Sequence, residues 1–99
     1  MIIVRRTYVP NPGEGTTLLK FIKQVNTAFE TNGLPKLNIS KTYSGYHGTI
    51  ITDQLWDSIF EYEKSRDKVR STKEITSIFK KIYGILDSTH HTEILSLVD

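Results

Sequence analysis

The chain has no cysteine. Disulfides, thiolate nucleophiles and cysteine-bound metal sites are excluded, and the composition suits a reducing compartment. Long apolar runs are missing too. None nears the ~20 residues that a membrane-spanning helix needs. The start, Ile2-Ile3-Val4 followed at once by Arg5 and Arg6, lacks the apolar core of a signal peptide. A soluble cytoplasmic protein is the expectation. Gly13 and Gly15 precede no Lys-Ser/Thr pair, so there is no phosphate-binding P-loop, and neither G-x-S-x-G nor H-E-x-x-H occurs. Charge of one sign is not gathered anywhere: 13 basic residues face 11 acidic ones, for a formal charge of +2. The densest basic stretch, Lys64, Arg66, Lys68, Arg70 and Lys73, is interleaved with Glu61, Glu63, Asp67 and Glu74. That is the pattern of a solvated helical face rather than of a nucleic-acid surface. Apolar residues make up only 37% of the 99 residues. One small domain spanning 1–99 is expected, with a modest core that a partner subunit would help to stabilise.

What is present is a clear order of elements. Residues 2–9 are β-branched and apolar at their start, with Ile2, Val4 and Tyr8 on one face and Ile3 and Val9 on the other. A strand apolar on both faces predicts a central position in a sheet. Pro10-Asn11-Pro12-Gly13 breaks the chain. Residues 14–32 place Leu18, Ile22, Val25 and Phe29 at helical spacing. Asn32-Gly33-Leu34-Pro35 then supplies a left-handed stop, a hydrophobic contact and a block to continuation. Residues 37–43 and 47–55 read as two strands. A two-residue turn at Ser44-Gly45 would set Tyr43 opposite Tyr46 and Ile39 opposite Ile50; a three- or five-residue loop would reverse the face of His47. The next helical region has two starts, with capping-box spacing at Ser58–Glu61, where Asp57 is a rival cap, and again at Ser71–Glu74. Helices over 57–69 and 72–86 follow, with a kink or early end at Gly84. Residues 89–98 read as the last strand. The sum is β-α-β-β-α-β with the second helical region split: a ferredoxin-like α+β fold on a four-stranded antiparallel sheet.

Five residues stand out as candidate ligand contacts: Arg6, Tyr43, His47, Trp56 and His91. An arginine on a buried strand needs a carboxylate or a ligand anion; for Arg5 and Arg6 the ordinary partner is Asp53 or Glu93 on another strand. Trp56 sits at a strand–helix joint, where such a residue more often covers the core than lines a pocket. Tyr43, Tyr46 and His47 cluster at the hairpin tip, able to stack a planar ligand or simply exposed. His90 and His91 are adjacent on a strand and point to opposite faces, so they cannot chelate one metal together. No metal site or cofactor is called for, and no catalytic set stands out.

Three local signatures resemble the dimeric α+β barrel superfamily, in particular its small NIPSNAP-like and antibiotic-biosynthesis-monooxygenase-like proteins. They are Ile2-Ile3-Val4-Arg5-Arg6 leading through Pro12-Gly13 into a helix, Asn32-Gly33-Leu34-Pro35 before a strand, and Tyr43-Ser44-Gly45 followed by a strand ending in Leu55-Trp56-Asp57-Ser58-Ile59-Phe60-Glu61-Tyr62-Glu63. The resemblance implies a homodimer in which two sheets meet face to face with the helices outside. Enzymes of that superfamily often work without metal or flavin, in a pocket between sheet and helices. Its haem-degrading members carry an Asn on the first strand and a Trp and His on the second helical region. Here Arg5 and Arg6 occupy the first strand, and residues 57–86 hold no histidine, which argues against that activity. Two readings of different class remain. One is a small barrel protein that binds an apolar or aromatic ligand or serves a structural role. The other is a cofactor-independent monooxygenase-like enzyme acting on an aromatic or polyketide-type substrate, with His47, His90 or His91 moving protons. The same element order also builds RNA-recognition modules, but His47-Gly48-Thr49-Ile50 lacks their stacking aromatic and the first strand lacks its partner.

Overall fold

The computed structural model describes residues 1–43 and 48–98. Its elements are β1 (Ile2–Tyr8), α1 (Gly15–Thr31), β2 (Leu37–Lys41), β3 (Ile50–Trp56), α2 (Ile59–Ser71), α3 (Lys73–Tyr83) and β4 (His91–Ser96). The four strands form one antiparallel sheet in the order β2-β3-β1-β4. β1 is central, the position that its two apolar faces predict. None of the described helices is long and apolar enough to cross a membrane.

Strand periodicity divides the sheet. Val4, Arg6 and Tyr8 of β1 and Ile50, Thr52 and Gln54 of β3 are buried beneath the helices. Ile3, Arg5, Thr7, Ile51, Asp53 and Leu55 alternate with them and take the other, more open face. The core joins Tyr8, Leu37 and Ile50 to Leu18, Ile22, Val25 and Phe29 of α1 and to Ile75 and Ile82 of α3. Each large apolar side chain so buried contributes about 1.5–3 kcal/mol before entropy is counted.

The end of α1 follows from its residues. Gly33 lies at φ 73. Its N–H donates to Glu30 O (3.1 Å), and the Leu34 N–H donates to Phe29 O (2.9 Å), the paired bonds of a Schellman stop. Leu34 and Phe29 meet in the core. Two further bonds tie the connection to its surroundings: Leu37 N donates to Asn26 Oδ1 (2.8 Å), and Gln54 Nε2 donates to Pro35 O (2.7 Å). A Cβ at Gly33 would meet only Lys68 Nζ, 3.9 Å away, so a side chain there fits sterically and suffers only from the positive φ. Gly33→Ala is therefore expected to lose about 1 kcal/mol of stability, measured by urea unfolding.

Several details differ from the sequence reading. Ile39 pairs with Thr52 rather than Ile50, and Lys41 pairs with Ile50. The hairpin closes through Thr42 N donating to Thr49 O (3.0 Å). This register is two residues from the one a Ser44-Gly45 turn would set. Side chains alternate with period two, so the faces of β2 and β3 are unchanged by the slip. The tip itself, with Ser44, Gly45, Tyr46 and His47, lies outside the described residues. Ser58 caps α2, its Oγ accepting from Glu61 N at 3.2 Å. The second capping box does not form. Ser71 and Thr72 hydroxyls turn back to donate to Lys68 O (3.2 and 2.6 Å) and close α2 instead. α3 ends at Tyr83, before Gly84.

Candidate functional site

α2 is the least embedded element. Among its thirteen residues only Tyr62 is buried. The other inward residues, Ser65, Arg66, Val69 and Arg70, stand at the i+3, i+4, i+7 and i+8 positions from Tyr62, along one stripe of the helix. Lys68 anchors the far side by donating to Asn32 O at the end of α1, a favourable place for a cation. Beneath α2 lies a cavity of about 430 Å³, within the range of small-molecule sites. Its floor is the sheet, through Arg6, Gln54, Trp56 and Thr92. Its walls are Phe29 of α1, the stripe of α2, and Thr76, Phe79 and Tyr83 of α3, with His90 closing the end before β4.

Aromatic rings make most of the apolar lining. Trp56 meets Tyr62 edge-on, centroids 5.7 Å apart, and Phe79 stacks near Tyr83 at 5.9 Å. Trp56 is fixed by hydrogen bonding: its Nε1–H donates to Gln54 Oε1 at 3.1 Å. Gln54, 3% exposed, is itself held by its bond to Pro35 O, so the indole is oriented through a satisfied buried amide.

The two arginines of β1 separate cleanly. Arg5, on the open face, makes a two-pronged pair with Asp53, Nε to Oδ1 at 2.8 Å and Nη2 to Oδ2 at 3.0 Å. That bond raises the Arg5 pKa further, as sequence reasoning anticipated for a strand arginine with a carboxylate across the ladder. Arg6, on the helix-covered face, is 8% exposed. Its Nη2 donates to Tyr62 Oη at 2.9 Å. The guanidinium of Arg66 lies 5.4 Å from the centroid of the same ring, from α2. The Arg6 guanidinium is 6.0 Å from that centroid, a separation its bond to the hydroxyl already imposes.

Of the five candidate residues, Arg6 and Trp56 line the cavity and His47 lies outside the described residues. Tyr43 is fully exposed and is not among the lining residues. His91 does not line the cavity, and its neighbour does. His91 pairs with Thr7 on the open face and is exposed, whereas His90 lines the cavity, stacked on Tyr83 (5.5 Å, 8°) and tilted against Tyr8 (5.3 Å, 34°). The charged residues of 61–74 form the exposed face expected of them, with one exception: Arg66 is partly buried and turns inward over Tyr62. Gln54, Tyr62 and Phe79 were not singled out. The two-residue spacing of Gln54 and Trp56, and the four-residue spacing of Tyr62 and Arg66, were the available signals.

The electrostatics favour neutral acids and bases beside fixed cations. Burial, and then the charges of Arg6 and Arg66, lower the His90 pKa. Its Nδ1 is buried with no hydrogen-bond partner. Burial pushes the Tyr8 phenol up to about 12, so it stays protonated at neutral pH. Among the described residues no group of His, Asp and Glu could hold a metal ion. The His90 shift carries a stability consequence. The facing groups are Arg6 of β1 and Arg66 of α2, with the rings of Tyr8 and Tyr83. Because the folded pKa is lower, the unfolded chain takes up the proton first as pH falls through about 6.5. Stability held above that pH is lost on the way down to the folded pKa, and the loss is then constant. Urea unfolding between about pH 8 and pH 5 is expected to show a shallower acid loss in His90→Gln than in the wild type, the carboxylates being common to both.

Neither a protein-family model nor a curated protein sequence matches this chain. Solved structures do. A NIPSNAP domain protein from Burkholderia xenovorans superposes with a TM-score of 0.84 at 16% identity, covering 99% of this chain and 95% of that one. A NIPSNAP family protein from Agrobacterium tumefaciens gives 0.84 at 19% identity, covering 99% and 93%. An antibiotic biosynthesis monooxygenase gives 0.75 at 13% identity, with complete coverage of both chains. The likeness is one of fold, and it meets the resemblance carried by the three sequence signatures.

Proposed function

We propose that this chain is a small-molecule-binding α+β protein whose ligand is an aromatic or apolar compound held between the sheet and α2. The observation that carries the reading is the aromatic-walled cavity beneath a helix that buries a single residue. A well-packed helix would have closed that space with its own side chains.

Trp56 is the only tryptophan in the chain, so its fluorescence reports on this site alone. Aromatic ligands are expected to change that emission saturably. Ser65→Phe, which fills the cavity from α2, should abolish the response while circular dichroism stays unchanged. A response that survives in Ser65→Phe would put the ligand elsewhere.

The fold of the antibiotic biosynthesis monooxygenase supports a second reading, a cofactor-independent enzyme acting on an aromatic substrate in the same cavity. Among the described lining residues, His90 is the base it would use. Oxygen consumption with an aromatic substrate, lost in His90→Gln, would favour this reading over simple binding.

Assembly is the other part of the proposal. The open face of the sheet carries Ile3, Ile51, Leu55 and Leu95 around the Arg5–Asp53 pair, and we infer that a second copy of the chain covers it.

A further inference from the structure

Every charged residue lining the cavity, among those described, is an arginine: Arg6, Arg66 and Arg70. The chain as a whole is nearly balanced, with 13 basic and 11 acidic residues, so the one-signed lining does not follow from composition. Arg70 sits at the rim, exposed and 3.9 Å from Asp67, where solvent weakens its charge. Arg6 and Arg66 are deeper.

Arg6 is the informative one. A guanidinium has five N–H donors, and the protein hydrogen bond seen for Arg6 is to the Tyr62 hydroxyl, not to a carboxylate. Neither ion pair among the described residues includes it. Its ladder partners on the same face are Thr52 and Thr92, which bring no charge. Burying a cation without an anion costs several kcal/mol. Arg5, one residue away, shows how this fold satisfies an arginine that it needs only for structure: a carboxylate directly opposite, in two-pronged contact. Arg6 has the burial without the carboxylate, and its remaining donors border an open cavity.

We propose that the cavity selects a planar aromatic carboxylate, with the carboxylate taken by the fork of Arg6 and seconded by Arg66, and with the ring against Trp56 and Phe79. The planar fork of an arginine matches a carboxylate in two parallel bonds, which a point cation does not. The walls supply faces and edges for a ring, and about 430 Å³ accommodates one or two fused rings with a short substituent. The proposal rests on the small-molecule reading above and adds the charge of the ligand.

A matched series tests it on the full chain: a naphthoate, the corresponding naphthamide and the corresponding naphthylmethylammonium. Binding is followed by Trp56 emission and by calorimetry. The naphthoate is expected to bind at least about tenfold more tightly than the amide, and the ammonium more weakly than either. Arg6→Gln should remove most of that preference, and Arg6→Lys should retain only part of it. Arg66→Gln, at a partly buried position outside the core, gives the same direction of change should Arg6→Gln not fold. Equal affinity for naphthoate and amide, or a preference untouched by Arg66→Gln and Arg6→Lys, would overturn the anion assignment while leaving the cavity a binding site. No response from any of the three compounds would overturn the binding reading itself.

Discussion

Ile75→Ala is expected to destabilise the fold by about 2–5 kcal/mol and to disable the cavity with it. α3 reaches the core through two fully buried side chains, Ile75 and Ile82, both at 0% exposure. They stand seven residues apart, two helical turns on one stripe, with Ile78 and Phe79 only partly buried beside them. Removing either isoleucine loses its burial and leaves a void that a close-packed core collapses into only in part. Domains of this size are generally stable by about 5–15 kcal/mol, so a melting temperature lower by on the order of 10 °C or more is the expected reading. Ile78→Ala, at a half-buried position, is the control and should cost clearly less. The functional consequence follows from position. Thr76, Phe79 and Tyr83 belong to the cavity wall, and Ile75 and Ile82 are what press that wall against α1 and the sheet. Ligand-induced change in Trp56 emission is therefore expected to weaken in Ile75→Ala even at temperatures where it is folded. A loss under about 1 kcal/mol would mean that α3 is not docked through this seam.

The elements of this fold were legible because its amphipathic patterns are strong where they matter. Leu18, Ile22, Val25 and Phe29 can share a core only as a helix, and Gly33-Leu34-Pro35 has one economical conformation at a helix end. The central place of β1 was legible in the same way, from apolar residues on both of its faces. The hairpin register was not. Both strands remain plausible under a slip of two, because such a slip preserves every face, and no local rule distinguishes Ile39 against Ile50 from Ile39 against Thr52. The second capping box failed for a related reason. Ser71 and Thr72 had two helices to serve, and their hydroxyls were taken by the end of α2 rather than the start of α3.

The site was legible in fragments. Arg6 and Trp56 stood out by residue type, yet nothing local distinguished Arg6 from Arg5. Alternation puts them on opposite faces, and only the three-dimensional register shows that Asp53 faces the open side. His90 and His91 diverge as strand neighbours must, but which one turns inward depends on where β4 begins, and boundaries are the weakest part of a sequence reading. Arg66 was hidden by its company. Its acidic neighbours Glu63 and Asp67 are exposed while Arg66 turns in over Tyr62, so an evenly mixed charge run conceals one inward cation.

If a second copy covers the open face as proposed, Leu55→Asp is expected to give a monomer, halving the mass that light scattering reads for the wild type to the 11.4 kDa of one chain. The argument runs from register. Leu55 and Leu95 both pair with Ile3, so the three form one apolar row across β3, β1 and β4. The next outward row is Asp53, Arg5 and Glu93, in that order across the same strands, and Ile51 lies beyond, opposite Thr7. The face is thus an apolar row beside a row of alternating charge, a surface that can complement its own twofold copy. Four strands of five to seven residues make a patch roughly 20 by 20 Å, about half the area per partner of a standard interface. Met1 and Leu97, joined by Leu97 N donating to Met1 O (3.2 Å) and both exposed, extend it along the same end. Leu55 is 43% exposed, so a charge there is tolerated by the lone chain but not against a copied apolar row. Asp53→Asn separates interface from fold. In the single chain the Arg5–Asp53 pair is partly exposed, 39% and 25% by side chain, and its loss should cost no more than about 1 kcal/mol. Covered by a second sheet, the same change leaves Arg5 desolvated without its anion, and dimer affinity should fall by about tenfold or more. A wild-type chain that scatters as a monomer at tens of micromolar, or a Leu55→Asp chain that still pairs, would leave the open face without the partner assigned to it.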